Sequence, residues 1–242
     1  KKIIDLMSEF GATFFPKGKN TFPLKMISSE MPIGINYKSG VSAQLKSAVM
    51  LAGLNSFGNT YIKEQVASRD HTENLLIDNK QSITIKKKEN KVIKIIGKKY
   101  LNPININIGG DPSSAAFFTA LTLLNRDSSL KIKNVGLNPT RTGFYEILKK
   151  QKVNLRFVNL KKENNETRGD IIIKSSKLKP MKTKASIYPR TTDEYLILFV
   201  IAALTKGIST FKGISDLANK ESSRAHEMKK ILKQIGIRCE LS

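Results

Sequence analysis

Cysteine is nearly absent, with Cys239 standing alone in 242 residues. A lone thiol excludes an internal disulfide framework and suits a reducing, cytoplasmic setting. Only two histidines accompany it, so there is little material for a zinc site and no metal is expected. Long apolar runs are missing as well. The longest, YLILFVIAAL (residues 195–204), is too short to cross a bilayer. No secretory signal is visible, and the first residues read as the middle of a helix. No membrane partner is expected. Acidic residues number 20 against 42 basic ones, a net charge of +22 that raises the question of nucleic acid. The cations are mostly lysines, scattered through strands and loops among many Asn and Ile, and no aromatics interleave with them to stack bases. That mixture fits an A+T-rich codon bias and a lysine-coated surface. No nucleic-acid partner is expected, with a basic non-enzymatic binding module kept as the alternative.

Arginine is scarce, and its positions are informative for that reason. Lysine serves wherever a solvated charge suffices, whereas a planar two-point donor for carboxylate or phosphate calls for guanidinium. Three arginines fall in related contexts: SRDH at Arg69, NPTRTG at Arg141 and KESSR at Arg224.

These arginines mark a unit that recurs three times. Each unit opens with small or polar residues and an oily helix: SAQLKSAVMLAGL from Ser42, SSAAFFTALTLL from Ser113 and DEYLILFVIAAL from Asp193. A strand follows (NTYIKE, SLKIKNV, ISTFKGI), then a polar loop with the arginine, an amphipathic helix (TENLLI, GFYEILKK, RAHEMKKILKQIG) and a closing strand (ITIKKK, VNLRFV, IRCEL). The spacing of Met228, Ile231, Leu232 and Ile235 is helical, and Thr210 to Ile214 read as strand. The oily helices are apolar nearly all round and should be buried on every side, with the amphipathic ones nearer the surface. A period of about 70–80 residues exceeds the usual solenoid repeat of roughly 20–50. It suggests pseudo-symmetric α/β domains with helices enclosed by sheets.

Residues 1–15 read as an amphipathic helix, a glycine turn and a strand, the back half of a fourth unit, so the chain reads as a fragment. PININIGGDP (residues 103–112) has the punctuating composition of a domain junction. KKENNETRGD, near Lys161, reads as a solvated hairpin loop.

Three stretches could carry chemistry. Ser42 suits a helix N-cap, yet the helix end, with Gln44 and Lys46 adding donors, also suits an anion. Asp193 sits at the start of the third oily helix, as a cap or as a general base in a closed site. NKESSR packs Lys220, Glu221, Ser222, Ser223 and Arg224 ahead of a helix. A capping box explains part of it, but two cations at the positive end of a helix dipole favour an anionic ligand. Arg69 and Arg141 invite the same argument, and His71 reads as structural.

Taken together, SAQLKSAVMLAGL, SRDHTENLL, GDPSSAAFF, NPTRTG, DEYLILFVIAA and NKESSR resemble the 5-enolpyruvylshikimate-3-phosphate synthase family, in the family's order and over essentially the whole chain. GDPSS and NPTRTG look most like its class II bacterial branch. The resemblance implies the enolpyruvyl transferase fold, two inside-out α/β barrels of βαβαββ-type units. Here residues 1–108 would belong to the first domain and 109–242 to the second, both truncated. It implies a cofactor-independent transfer of the enolpyruvyl group of phosphoenolpyruvate to the 5-hydroxyl of shikimate-3-phosphate, by a cytoplasmic enzyme that is monomeric at full length. Ser42, Ala43 and Gln44 would line the shikimate-3-phosphate pocket, with Gln44 also reaching phosphoenolpyruvate. Arg69 would lie beside the shikimate ring or its phosphate. Asp193 would accept the hydroxyl proton, and Lys220 would contact shikimate-3-phosphate. Glu221 would move protons at the methylene, and Arg224 would bind phosphoenolpyruvate. Ser223 departs from the family's usual KESDR wording. The family's other substrate-binding basic residues fall before Lys1 or after Ser242, so the fragment alone should turn over negligibly. The sibling that acts on UDP-N-acetylglucosamine is the alternative within the fold, but it uses a loop cysteine, and Cys239 is expected in a closing strand.

Overall fold

The computed structural model describes every residue except Lys88, Glu221 and Ser242. The chain divides into two units, Lys1–Asn105 and Ile106–Ser242, each α/β and together containing both parallel and antiparallel strand pairs.

The first unit opens with helix α1 (Lys2–Glu9) and strands β1 (Thr13–Phe15) and β2 (Lys25–Ile27), which pair antiparallel. There follow β3 (Asn36–Ser39), α2 (Ala43–Asn55), β4 (Asn59–Glu64), α3 (His71–Leu76), β5 (Ile83–Lys87) and β6 (Lys91–Ile96). This is one complete β-α-β-α-β-β repeat. Its sheet runs β3-β4-β6-β5, with the first pair parallel and the other two antiparallel. Strand β4 alternates, turning Thr60, Ile62 and Glu64 inward and their neighbours out. Val49 and Met50 of α2 pack with Ile62, Ile93 and Ile95 of the sheet, joined by Leu6 and Phe10 from the first helix and its cap.

Beside this core lies a buried quartet of charges. Lys46, fully buried, places its Nζ 2.7 Å from Glu64 Oε1 and 2.6 Å from Glu73 Oε1. Lys91 closes the ring at 3.2 Å from Glu64 Oε2 and 2.9 Å from Glu73 Oε1. The backbone N–H and hydroxyl of Ser68 both donate to Glu64 Oε1, at 3.1 and 3.0 Å. One ring thus ties α2, β4, α3 and β6. Lys46 was expected to add a donor at the helix end. It is instead turned under the helix into this ring, because a buried carboxylate pair requires cations within reach.

The second unit repeats the plan. Residue Gly110 bridges in parallel to Val135 and is followed by α4 (Pro112–Leu124), β7 (Ser129–Gly136), α5 (Gly143–Lys150), β8 (Leu155–Glu163) and β9 (Glu166–Lys174). The sheet order β7-β9-β8 matches β4-β6-β5. A third repeat begins with β10 (Lys182–Thr183), a 3-10 helix (Ala185–Arg190), α6 (Tyr195–Ala203) and β11 (Thr210–Phe211), which pairs parallel to β10. A second 3-10 helix (Ser215–Asn219) and α7 (Arg224–Gln234) complete it. Tyr188 stacks on Tyr195 with ring centroids 5.6 Å apart, and Phe211 meets Tyr195 edge-on. These rings join Phe144, Tyr145, Leu148, Ile171 and Ile173 in one core. No described helix is long and apolar enough to cross a membrane.

Several expectations need correction. The oily helices are not buried on every side: Phe117, Phe118 and Leu121 of α4 and Leu51 of α2 are exposed, since the sheet and neighbouring helices pack against only part of each surface. Helix α5, expected near the surface, buries Phe144, Tyr145, Ile147 and Leu148 because the Ala185–Arg190 turn packs over it. The strand expected over Thr210 to Ile214 stops at Phe211, where Gly213, at φ +73°, turns the chain. IRCEL forms no strand, since it pairs with none of the described strands. Cys239 therefore lies in irregular chain, its Sγ 3.8 Å from the Lys229 carbonyl.

The quartet sets a pH window. Burial alone would raise the Glu64 carboxyl. The hydrogen bond and charge of Lys46, the Ser68 amide and Lys91 outweigh burial and hold it below its usual value. Burial would lower Lys91, but Glu73 and Glu64 raise it. The Glu64 contribution is therefore complete above the ordinary glutamate value of 4.5 and disappears as pH falls through its depressed value. The Lys91 contribution is complete below 10.5 and fades as pH rises through its elevated value. Replacing Lys46 by Met should cost about 3–5 kcal/mol at neutral pH, because two buried carboxylates lose a cation. Denaturant titrations across pH should show this loss shrinking in acid. The partly exposed Lys91→Met should cost clearly less.

Candidate active site

In the first unit the chemistry-bearing residues gather at the starts of two helices. Ser42 caps α2, its Oγ accepting from the Leu45 N–H at 3.4 Å. Ala43 and the exposed Gln44 form the first turn. Arg69 lies in the turn before α3, directly after Ser68, which the quartet holds. The Ser47 and Thr72 hydroxyls meet at 2.7 Å. That contact sets the beginnings of α2 and α3 side by side, with Ser42, Ala43 and Gln44 at the start of one and Arg69 ahead of the other. Capping by Ser42 is thus real, and it leaves the exposed side of the same turn available to a ligand.

In the second unit, two arginine–carboxylate clamps recur at equivalent places. Arg141, in the loop before α5, places Nη2 2.8 Å from Asp111 Oδ1 and donates to Ser113 Oγ at 2.7 Å. Arg224, at the start of α7, places Nη1 3.3 Å from Asp193 Oδ1. Each clamp joins the start of an amphipathic helix to the start of the oily helix in the same repeat.

The two carboxylates differ in duty. Asp111 caps α4, its Oδ2 accepting the Ser114 N–H at 2.9 Å and the Ser114 hydroxyl at 3.1 Å. Burial would raise its carboxyl, but these bonds and Arg141 hold it below the usual range. Asp193 does not cap α6. The cap position belongs to Glu194, which makes no side-chain cap bond, and the helix start is closed by backbone turns, Glu194 N–H to Thr191 O at 3.0 Å among them.

Further polar groups of the third repeat stand near Arg224. Lys220 Nζ is 2.8 Å from Asp216 Oδ2, and Tyr188 OH donates to the same oxygen at 2.9 Å. Burial, then that carboxylate, push the Tyr188 phenol far above its ordinary range, and the nearby Arg224 charge works the other way. Tyr188 thus links the Asp216–Lys220 pair to Arg224, and through it to Asp193, in one cluster drawn from two stretches of chain, residues 188–193 and 216–224. Ser223, which departs from the family wording, has its hydroxyl 2.7 Å from His226 Nδ1. Arg224 remains held by Asp193. Glu221 lies outside the described residues. Tyr188 and Asp216 were missed in the sequence, although Asp216 stands four residues before Lys220 and offered a helical pairing signal. Among the described residues no group of three or more His, Cys, Asp or Glu side chains could hold a metal ion.

The EPSP synthase (3-phosphoshikimate 1-carboxyvinyltransferase) family model matches residues 1–242. The chain belongs to the EPSP synthase family. It is 38% identical over 236 residues to the 3-phosphoshikimate 1-carboxyvinyltransferase of Zymomonas mobilis, covering 97% of this chain and 52% of that one. It is 38% identical over 239 residues to its namesake in Petrotoga mobilis, covering 98% and 55%. An EPSP synthase structure from Acinetobacter baumannii superposes on all of this chain and 54% of its own, with a TM-score of 0.81 and 34% identity. The enolpyruvyl transferase NikO of Streptomyces tendae, at 13% identity and a TM-score of 0.59 over 86% of this chain and 49% of its own, shares the fold. The chain spans about half the length of the relatives it matches. Family and relatives carry the shikimate name, which does not favour the UDP-N-acetylglucosamine sibling or a nucleic-acid module.

Two aspartates at equivalent places should separate in a stability assay. Asp111→Ala removes a helix cap as well as a clamp and should cost about 1–2 kcal/mol. Asp193→Ala loses a partly exposed ion pair and no helix cap, and should cost less than about 1 kcal/mol. Denaturant midpoints of the two variants decide it.

Proposed function

We propose that this chain is the part of a 3-phosphoshikimate 1-carboxyvinyltransferase that supplies the base and several of the anion-holding groups, working in the cytoplasm as a monomer at full length. In the reaction, the 5-hydroxyl oxygen of shikimate-3-phosphate bonds to C2 of phosphoenolpyruvate while the methylene carbon takes up a proton. The C–O bond to phosphate then breaks, a proton leaves the new methyl group, and enolpyruvyl product and inorganic phosphate depart. Asp193 takes the hydroxyl proton. Lys220 holds shikimate-3-phosphate and Arg224 holds phosphoenolpyruvate, with Glu221 serving the methylene proton. Ser42, Ala43, Gln44 and Arg69 line the shikimate-3-phosphate side, where helix-end N–H groups suit a phosphate.

The observation that carries this reading is the Asp193–Arg224 clamp beside Lys220, in a chain that matches the family from end to end. Both ion pairs are partly exposed. Exposed pairs of this kind are worth about 0–1 kcal/mol. A phosphate or carboxylate can therefore take over the guanidinium or ammonium at little cost.

The test extends this chain to the length of its relatives and follows phosphate release with both substrates. Asp193→Ala should lower kcat by about 10²–10⁴-fold, and Arg224→Ala should chiefly raise KM for phosphoenolpyruvate. The 242-residue chain by itself should give no measurable turnover, since stabilising the charged transition state needs the complete donor set. Full activity in Asp193→Ala would refute the assignment of the base.

A further inference from the structure

We infer that Ser113 and Arg141 are positioning residues for the Asp193 carboxylate, acting through Glu194. The inference rests on the reading of Asp193 as the base. Glu194 is only 2% exposed, so its carboxylate depends on protein donors for its orientation. Ser113 Oγ donates to Glu194 Oε1. The same hydroxyl accepts from Arg141 Nη2 at 2.7 Å, and that guanidinium is itself set by Asp111 Oδ1 at 2.8 Å. The relay runs from the cap of α4 through a guanidinium and a hydroxyl to the residue at which α6 begins.

Glu194 and Asp193 are neighbours in sequence, and Glu194 is also fixed through its backbone. Its N–H donates to Thr191 O and its carbonyl accepts from Leu198 N, each at 3.0 Å. The turn is braced from the other side by Gly143 of α5. A Cβ there would lie 2.0 Å from Thr191 Oγ1 and 2.7 Å from Arg190 O, so only glycine permits this approach. With backbone and side chain of Glu194 both held, the peptide that carries Asp193 has little freedom, and before phosphoenolpyruvate binds Arg224 holds its carboxylate as well. An apolar pair would pack a helix start with less desolvation than a serine and a glutamate do. What the polar pair adds is orientation, and a base displaced by about 1 Å loses about 10²-fold in rate.

The test measures both substrates in the chain extended to its relatives' length. Ser113→Ala should lower kcat about 10–100-fold while each KM stays within about twofold. Ser113→Thr keeps the hydroxyl and should recover most of the rate. Arg141→Lys keeps the charge but loses the planar fork, and should also lower kcat without raising KM. It serves as the deciding variant if Ser113→Ala does not fold. Unchanged kcat in Ser113→Ala and Arg141→Lys, or losses that appear only as raised KM, would overturn the inference. Asp193→Ala separates the two layers: if it is inactive while both relay variants run at full rate, the base stands and the relay falls. If Asp193→Ala is itself active, the reading of the base falls first.

Discussion

A guanidinium spanning two helix starts is the joint on which the second unit is organised. In each repeat the oily helix and the amphipathic helix must begin side by side, where both expose unsatisfied N–H groups and carry positive dipole ends. Bringing two such ends together is unfavourable unless a carboxylate stands between them. Asp111 and Asp193 fill that place, and Arg141 and Arg224 secure them with directional bonds. In the first unit the corresponding joint carries no such carboxylate at Ser42. The Ser47–Thr72 hydroxyl contact and the buried ring of Lys46, Glu64, Glu73 and Lys91 hold the helices there. The same geometric problem thus has one solution that buries its charges and another that leaves them partly accessible.

Asp111 and Asp193 show how one device serves two ends. The first aspartate is committed to its helix, with both oxygens engaged by Ser114 and Arg141. At the second, backbone turns close the helix start and Glu194 takes the cap position. That leaves the Asp193 carboxylate with no capping duty. The clamp recurs in both repeats, with the helix beginning one residue later relative to the second aspartate.

Much of this organisation was legible in the residues. The three oily helices, the arginine-bearing turns and the β8–β9 hairpin, which reverses at Asn164 and Asn165 with both at positive φ, follow from periodicity and turn chemistry. The opening strand of each repeat was not legible. It amounts to four residues in β3, two in β10 and a single bridge at Gly110, too short to show any alternation. The buried course of Lys46 is not legible, because its position in a helical first turn says nothing about which way a long flexible side chain will turn. Its partners come from residues 18 and 27 positions further on. Tyr188 was invisible as a polar residue, since its ring belongs to the aromatic core and only its hydroxyl reaches Asp216. Family motifs named Asp193, Lys220 and Arg224. The groups that orient them, Ser113, Glu194 and Asp216, emerge only once distant segments are folded together.

The mixed pairing within each repeat has a kinetic consequence. The β8–β9 and β5–β6 ribbons join strands adjacent in sequence, so they can form while the rest of the chain is still open. The parallel pairs β3–β4 and β10–β11 must wait for an intervening helix to close a long loop, and β10–β11 contributes only two residues a side. Assembly should therefore proceed outward from the ribbons. The segment bearing the 3-10 turn and Asp193 would then be among the last parts of its unit to settle.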